Sequence, residues 1–143
     1  MAGNQTLGIV KPDAVASGHL GSILAHLSQE GYRITAGRLV RLSRAQAEAF
    51  YEVHRGRPFY EELVEFMCSG PCFPMALQKP AAVMAFRTTI GATDPAEAAP
   101  GTIRKLYAES KGRNAVHGSD SDDNAAREIA FFFTEAERAQ LAG

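Results

Sequence analysis

The most chemically pointed stretch of the chain is Asn114-Ala115-Val116-His117-Gly118-Ser119-Asp120. A histidine beside a glycine has one flank open for close approach of a substrate, and the amides of a helix starting just after it would favour anionic groups. Near pH 7 its neutral imidazole can act as a base, a metal ligand or a nucleophile, and the plain alternative is a capping or packing histidine. Glu128 falls three residues after Ala125 and one before Ile129, so on a helix it sits at the edge of the buried stripe, where an unpaired carboxylate is costly. It needs a partner. Arg87 follows Val83 by four residues and adjoins Phe86, which brings a guanidinium towards the core-facing side of its helix. For both residues the alternative is a structural ion pair. Lys11 closes the first apolar run and is stiffened by Pro12, where it could serve as a point charge for phosphate. Tyr51 and Phe59 bracket the segment from Glu52 to Pro58; they could clamp a flat base, or they could belong to the core. His19, His26 and His54 have no comparable surroundings.

Other chemistries are excluded by what the pattern lacks. There is no G-x-x-x-x-G-K-[ST] loop, no dinucleotide fingerprint and no H-E-x-x-H, so a bound nucleotide would not use a P-loop. Asp120-x-Asp122-x-Asn124 starts like a calcium loop, but Ala125 stands at its glycine position and Phe131 at its closing glutamate, which leaves helix capping as the reading. Cys68 and Cys72 flank Ser69-Gly70-Pro71 with no second pair to complete a zinc site, and they read as reduced packing thiols.

These residues need a frame. The chain has 143 residues, 45% of them hydrophobic and 22% charged, with a formal net charge of -1. That suits one globular domain over residues 1–143 and disfavours disorder or a binder that works through an overall basic field. The start of the chain lacks the features of a signal peptide and no stretch has the length of a membrane span, so a cytoplasmic protein is expected. Thr6 to Val10 reads as a buried strand opening into a loop. Leu20, Ile23, Leu24 and Leu27 recur at helical spacing until Gly31. Tyr32, Ile34, Ala36, Val40 and Leu42 share one parity and read as a half-exposed second strand. Ser43 and Gln46 form a capping box for a helix to about His54. Pro58 suits the first turn of a helix carrying Phe59, Leu63, Phe66 and Met67. A third strand spans Cys72 to Leu77, and Pro80 begins a helix with Val83, Phe86 and Ile90 that Gly91 ends. Thr102 caps a short helix through Tyr107, Asn114 to Val116 forms a last short strand, and Ser119, Asp120 or Ser121 caps a helix burying Ala125, Ile129 and Phe132. Strands that do not alternate strictly with single helices predict an antiparallel or mixed sheet with helices on one side, an α+β fold, with ferredoxin-like topology best supported.

Gly8-Ile9-Val10-Lys11-Pro12-Asp13-Ala14-Val15 together with Asn114-Ala115-Val116-His117-Gly118-Ser119-Asp120-Ser121 resembles the nucleoside diphosphate kinases. The similarity continues through Arg57-Pro58-Phe59-Tyr60, Phe66-Met67-Cys68-Ser69-Gly70-Pro71, Gly91-Ala92-Thr93-Asp94-Pro95, Pro100-Gly101-Thr102-Ile103-Arg104 and Ala125-Ala126-Arg127-Glu128-Ile129. The resemblance implies a ferredoxin-like βαββαβ fold with a four-stranded antiparallel sheet flanked by helices. It implies ping-pong transfer of the γ-phosphate from a nucleoside triphosphate, mainly ATP, to nucleoside diphosphates. His117 would be the nucleophile, phosphorylated on Nδ1, and Glu128 would accept a hydrogen bond from the other ring nitrogen. Lys11, Arg87, Thr93 and Arg104 would hold phosphates, Phe59 would stack on the base with Leu63 near it, and Asn114 with Lys11 would hold the sugar hydroxyls. Tyr51 and Ser119 would line the site beside His117. Mg²⁺ would be held mainly by substrate phosphates and water, with no protein ligand set. A homo-oligomer is implied, a hexamer or a tetramer built from dimers. The alternative is a non-catalytic nucleotide- or nucleic-acid-binding regulatory module on the same fold. A silent relative is expected to have lost His117, Lys11 or Arg104, none of which is lost. A nucleic-acid binder is expected to show basic excess and paired aromatics on a central strand; neither is found, so no nucleic-acid partner or membrane is expected.

Overall fold

The computed structural model describes residues 3–141. Its sheet is four-stranded, in the order β2-β3-β1-β4, from Gln5–Val10 (β1), Arg33–Gly37 (β2), Phe73–Gln78 (β3) and Val116–Gly118 (β4). All neighbouring strands run antiparallel, with Ile9 opposite Pro74 on one side and His117 on the other. The helices are Pro12–Ala16 (α1), Leu20–Gln29 (α2), Arg44–Phe50 (α3), Tyr60–Met67 (α4), Ala82–Ile90 (α5), Ile103–Tyr107 (α6), Asp122–Phe132 (α7) and Glu135–Leu141 (α8), with a 3₁₀ turn at Glu52–His54. The order and pairing are those of the ferredoxin-like α+β fold.

The expectation of helices on one side is corrected, because both faces of the sheet are covered. Leu7 and Ile9 of β1 enter one cluster with Phe50, Val64, Ile129 and Phe132, while Val10 enters another with Ile23, Phe86, Ile90 and Ile103. A strand buried on both faces has no polar side to alternate with, which is why β1 reads as a nearly continuous apolar run. Gly8 and Gly118 face each other across β1 and β4 beneath the Phe86 ring, and a Cβ at either would lie 2.9 Å from a ring carbon. The absent side chains let α5 approach the sheet beside His117.

The second strand is shorter than its apolar parity implied, and Val40 is joined to β3's approach only by an isolated bridge to Cys72. A register shift between Ile34 and Ala36 sends Ile34 towards the α2–α5 side and Ala36 to the α3–α7 side. A bulge inserts a residue and breaks the period-2 rule on which the parity rested. The Ser43 capping box forms as expected: Ser43 Oγ accepts the Gln46 amide and Gln46 Oε1 accepts the Ser43 amide, at 3.1 and 2.9 Å. Cys68 and Cys72 are free thiols, and burial pushes that of Cys72 up to about 11.

Candidate active site

The last strand is displaced from its expected position, Asn114 to Val116, to Val116–Gly118. His117 is therefore not in a loop before the final helix; the β1 ladder holds its backbone opposite Ile9. Its ring meets Phe50 edge-on with centroids 5.4 Å apart and Tyr51 at 6.1 Å. Ser121 caps α7 by accepting the Asn124 amide, and the Asp122 and Asp123 charges suit its first turn. From the buried side of that helix Glu128 reaches across, its Oε1 lying 2.8 Å from His117 Nε2 and accepting Ser119 Oγ–H at 2.8 Å. The edge-of-stripe carboxylate has its partners. With Nε2–H directed at a carboxylate, the tautomer leaves the Nδ1 lone pair unprotonated.

The cationic side begins where β1 ends. Lys11 is only 8% exposed, and its Nζ donates to Asn114 Oδ1 at 2.9 Å. Burial foremost, and then the Arg104 charge, bring its amine down to about 8. Arg104, on α6, is held by carbonyl oxygens: Nη1 donates to Gly91 and Nη2 to Val116, at 3.0 and 2.8 Å, while Nε is buried without a partner. Burial, and secondarily Arg87, lowers its guanidinium to about 10. Among the described residues neither Lys11 nor Arg104 forms an ion pair with a carboxylate. With no carboxylate in direct contact, the desolvation cost of these buried cations is only partly offset, by the Asp13 charge acting on Lys11, and a bound anion would relieve the rest.

Arg87 is exposed, which corrects its expected core-facing position: it lies one step past Phe86, where the helix turns to solvent. Its charge still acts on Arg104 and on Asp120. Asn114 also donates Nδ2–H to the Thr93 carbonyl at 3.4 Å. Phe59, 46% exposed, caps the start of α4 and stands with Leu63, Phe66, Thr93, Lys11 and Asn114 around a cleft of about 730 Å³. A large exposed aromatic on a cleft wall offers a face for a flat ring. His117 does not line this cleft; it stands three residues on from Asn114, which does. Tyr51 is buried, its hydroxyl has no hydrogen-bond partner, and burial with the Glu128 charge raises its pKa.

Sequence reasoning passed over Asp13, whose Oδ2 accepts the Ala115 amide at 3.0 Å, and Glu62, Lys111 and Arg113, which also line the cleft. An acid in the first turn after a proline reads as helix capping, and only the pairing of β1 with β4 brings it to Ala115. The Gly112 turn between two cations was the available signal for the other wall.

Residues 4–138 match the family model for nucleoside diphosphate kinase. A nucleoside diphosphate kinase of Chlorobaculum parvum is 59% identical over 133 residues, covering 93% of this chain and 95% of that relative. That of Flavobacterium psychrophilum is 54% identical over 138 residues, covering 96% and 99%. Among solved structures, the nucleoside diphosphate kinase of Aquifex aeolicus superposes with a TM-score of 0.92 at 47% identity, covering 94% of this chain and 97% of its own. That of Halobacterium salinarum, solved in complex with CDP, gives 0.88 at 40% identity, covering 93% and 89%.

Proposed function

The chain belongs to the nucleoside diphosphate kinase family and transfers phosphoryl groups between nucleotides, and from that premise we propose that the transfer runs through a phosphohistidine on His117. One observation carries the reading: His117 Nε2 is 2.8 Å from a buried carboxylate, which leaves Nδ1 as the free lone pair. In the first half-reaction Nδ1 attacks the γ-phosphorus of a nucleoside triphosphate, the N–P bond forms, the bond to the β-phosphate oxygen breaks, and the nucleoside diphosphate departs. A second nucleoside diphosphate then attacks the phosphohistidine through its terminal oxygen and restores the imidazole. The ring gains positive charge when phosphorylated, and Glu128, oriented by Ser119, is placed to stabilise it without moving.

Lys11, Arg87 and Arg104 neutralise the phosphates and Thr93 adds a hydroxyl, while Phe59 stacks on the base, Leu63 packs near it, and Asn114 with Lys11 takes the sugar hydroxyls. Stacking uses a π-face that all bases share, so purines and pyrimidines are both accepted. Tyr51 closes the side of the imidazole. Among the described residues no group of three or more His, Cys, Asp or Glu could hold a metal ion. A divalent cation, taken here as Mg²⁺, would be held mainly by substrate phosphates and water, where it would offset charge on the phosphate oxygens.

The protein acts as one domain and as a homo-oligomer, a hexamer or a tetramer built from dimers. The place of β2 at the end of the sheet and the 57% exposed Leu39 just past it support association, which light scattering would measure. Free Cys68 and Cys72 suit the cytoplasm, and among the described residues no helix is long and apolar enough to cross a membrane.

The test is incubation with γ-labelled ATP and Mg²⁺ without an acceptor. Acid-labile, base-stable label on His117 that moves to GTP on adding GDP is the expected result. Folded protein that never takes up label overturns the reading.

A further inference from the structure

The motif residues Lys11-Pro12-Asp13 end in a buried acid that the transfer itself does not use. Asp13 is 3% exposed, lies in the first turn of α1, and turns its carboxylate away from its own helix to the Ala115 amide. Ala115 is one of two non-glycine residues with positive φ among those described, at 73°. The Val116 amide donates back to the Asn114 carbonyl at 2.8 Å, closing a turn of the strained γ type over Ala115. A Cβ makes that conformation unfavourable, so the surroundings must hold it. Ala115 is fully buried, and its N–H cannot turn to water instead.

The residues on either side of this turn are those that matter to the site. Asn114 holds Lys11 Nζ, the Val116 carbonyl receives Arg104 Nη2, and His117 follows directly. The Lys11 amide also donates to the Ala115 carbonyl at 2.8 Å, so both faces of the Ala115 backbone are tied to the segment after β1. We infer that Asp13 is a positioning residue for the transfer: by accepting the Ala115 amide it holds the strained turn that sets Asn114 and His117 relative to one another. A charged acceptor grips an amide more strongly than a neutral one, which suits a carboxylate for a turn that would otherwise relax. Asp13 Oδ1 is buried without a hydrogen-bond partner, and its charge raises the Lys11 amine against the effect of burial. Relaxation to negative φ would rotate the peptide planes on both sides of Ala115 and displace the imidazole from in-line attack, and reaction rates are steeply sensitive to such misplacement. This inference rests on His117 being the nucleophile.

The experiment is a cycle of Asp13→Ala, Ala115→Gly and the double variant, with Asp13→Asn beside it, read as the rate of His117 phosphorylation well below each melting temperature. Asp13→Ala is expected to slow phosphorylation by about tenfold or more, and the Ala115 amide should exchange with solvent faster. Glycine adopts positive φ without penalty, so the double variant should recover about threefold or more over Asp13→Ala, and Asp13→Asn, which keeps an acceptor oxygen, should recover most of the rate. A purely structural role would lower the melting temperature and leave the rate of the folded variant within about twofold; that result overturns the inference, as does a double variant no faster than Asp13→Ala. Should Asp13→Ala not fold, the cycle is run with Asp13→Ser, too short to reach the amide, against the same criteria. Native protein is labelled in parallel. If it labels on His117 and the cycle is additive, the Asp13 role alone fails; if it takes up no label, the nucleophile reading fails with it.

Discussion

Around His117 the polar groups answer one another: Nε2 meets Glu128, Ser119 meets the same carboxylate oxygen, and the Leu7 amide donates in turn to Ser119 Oγ at 3.3 Å. Around Lys11 and Arg104, on the neighbouring end of the site, the buried cations hydrogen-bond through their side chains only to an amide oxygen and backbone carbonyls, and the one acid acting on Lys11, Asp13, makes no ion-pair contact with it. The first region is finished in the protein alone, as suits a nucleophile that must not reorganise during reaction. The second is left electrostatically incomplete, and an anion would complete it. A folded domain carries such a debt only where other packing offsets it, here the clusters on both sides of β1.

His117→Ala is the most severe way to break the finished region. Turnover should fall by at least roughly 10⁴ with no labelled protein, since removal of a nucleophile leaves only binding, and circular dichroism should show the fold retained. Arg104→Met probes the incomplete region. Transfer should drop about 10² to 10³-fold through lost charge stabilisation, yet without nucleotide the melting temperature should move by no more than about 4 °C, because relief of the buried charge offsets the two carbonyl hydrogen bonds lost. A large destabilisation of the ligand-free protein would show that Arg104 is structural. Glu128→Gln keeps the shape and loses the charge beside the imidazole; a fall in kcat of up to about a hundredfold with little change in KM is expected from loss of orientation, and an unchanged kcat would make the carboxylate merely structural. Phe59→Ala should weaken nucleotide affinity by about 1 to 3 kcal/mol, alike for purines and pyrimidines, as titration calorimetry would measure.

The mildest test separates the two regions by pH. Lys11, near 8 when folded, stands below its usual 10.5. Nucleotide affinity should fall as pH rises through about 8 and the ammonium is lost. Stability of the ligand-free protein should move the other way. Between about 8 and 10.5 the unfolded chain binds the extra proton, so the penalty for burying the ammonium, fully present below 8, is relieved as pH rises towards 10.5. Parallel nucleotide titrations and thermal melts across pH 7 to 10.5 would check both signs.

Much of the frame was legible because it depends on local chemistry. The Ser43–Gln46 box, the Thr102 and Ser121 caps and the Gly91 stop are set by side chains within a turn of the ends they satisfy. The edge position of Glu128 followed from helical period, and its need for a partner followed from the cost of an unpaired carboxylate. The β2 register shift, the displaced β4 and the exposure of Arg87 were not legible, since each depends on what packs from elsewhere in the chain.

By itself the sequence determined which residue types were available for chemistry and which segments had a helix or strand period, because both follow from side chains and near neighbours. The tertiary structure alone decided that Glu128 faces Nε2, that Asp13 takes the Ala115 amide 102 positions away, and that Lys11 and Arg104 are both buried, within reach of one another's charge. These pairings arise when β1 docks between β3 and β4, and long-range packing sets the angstrom-scale distances on which phosphoryl transfer depends.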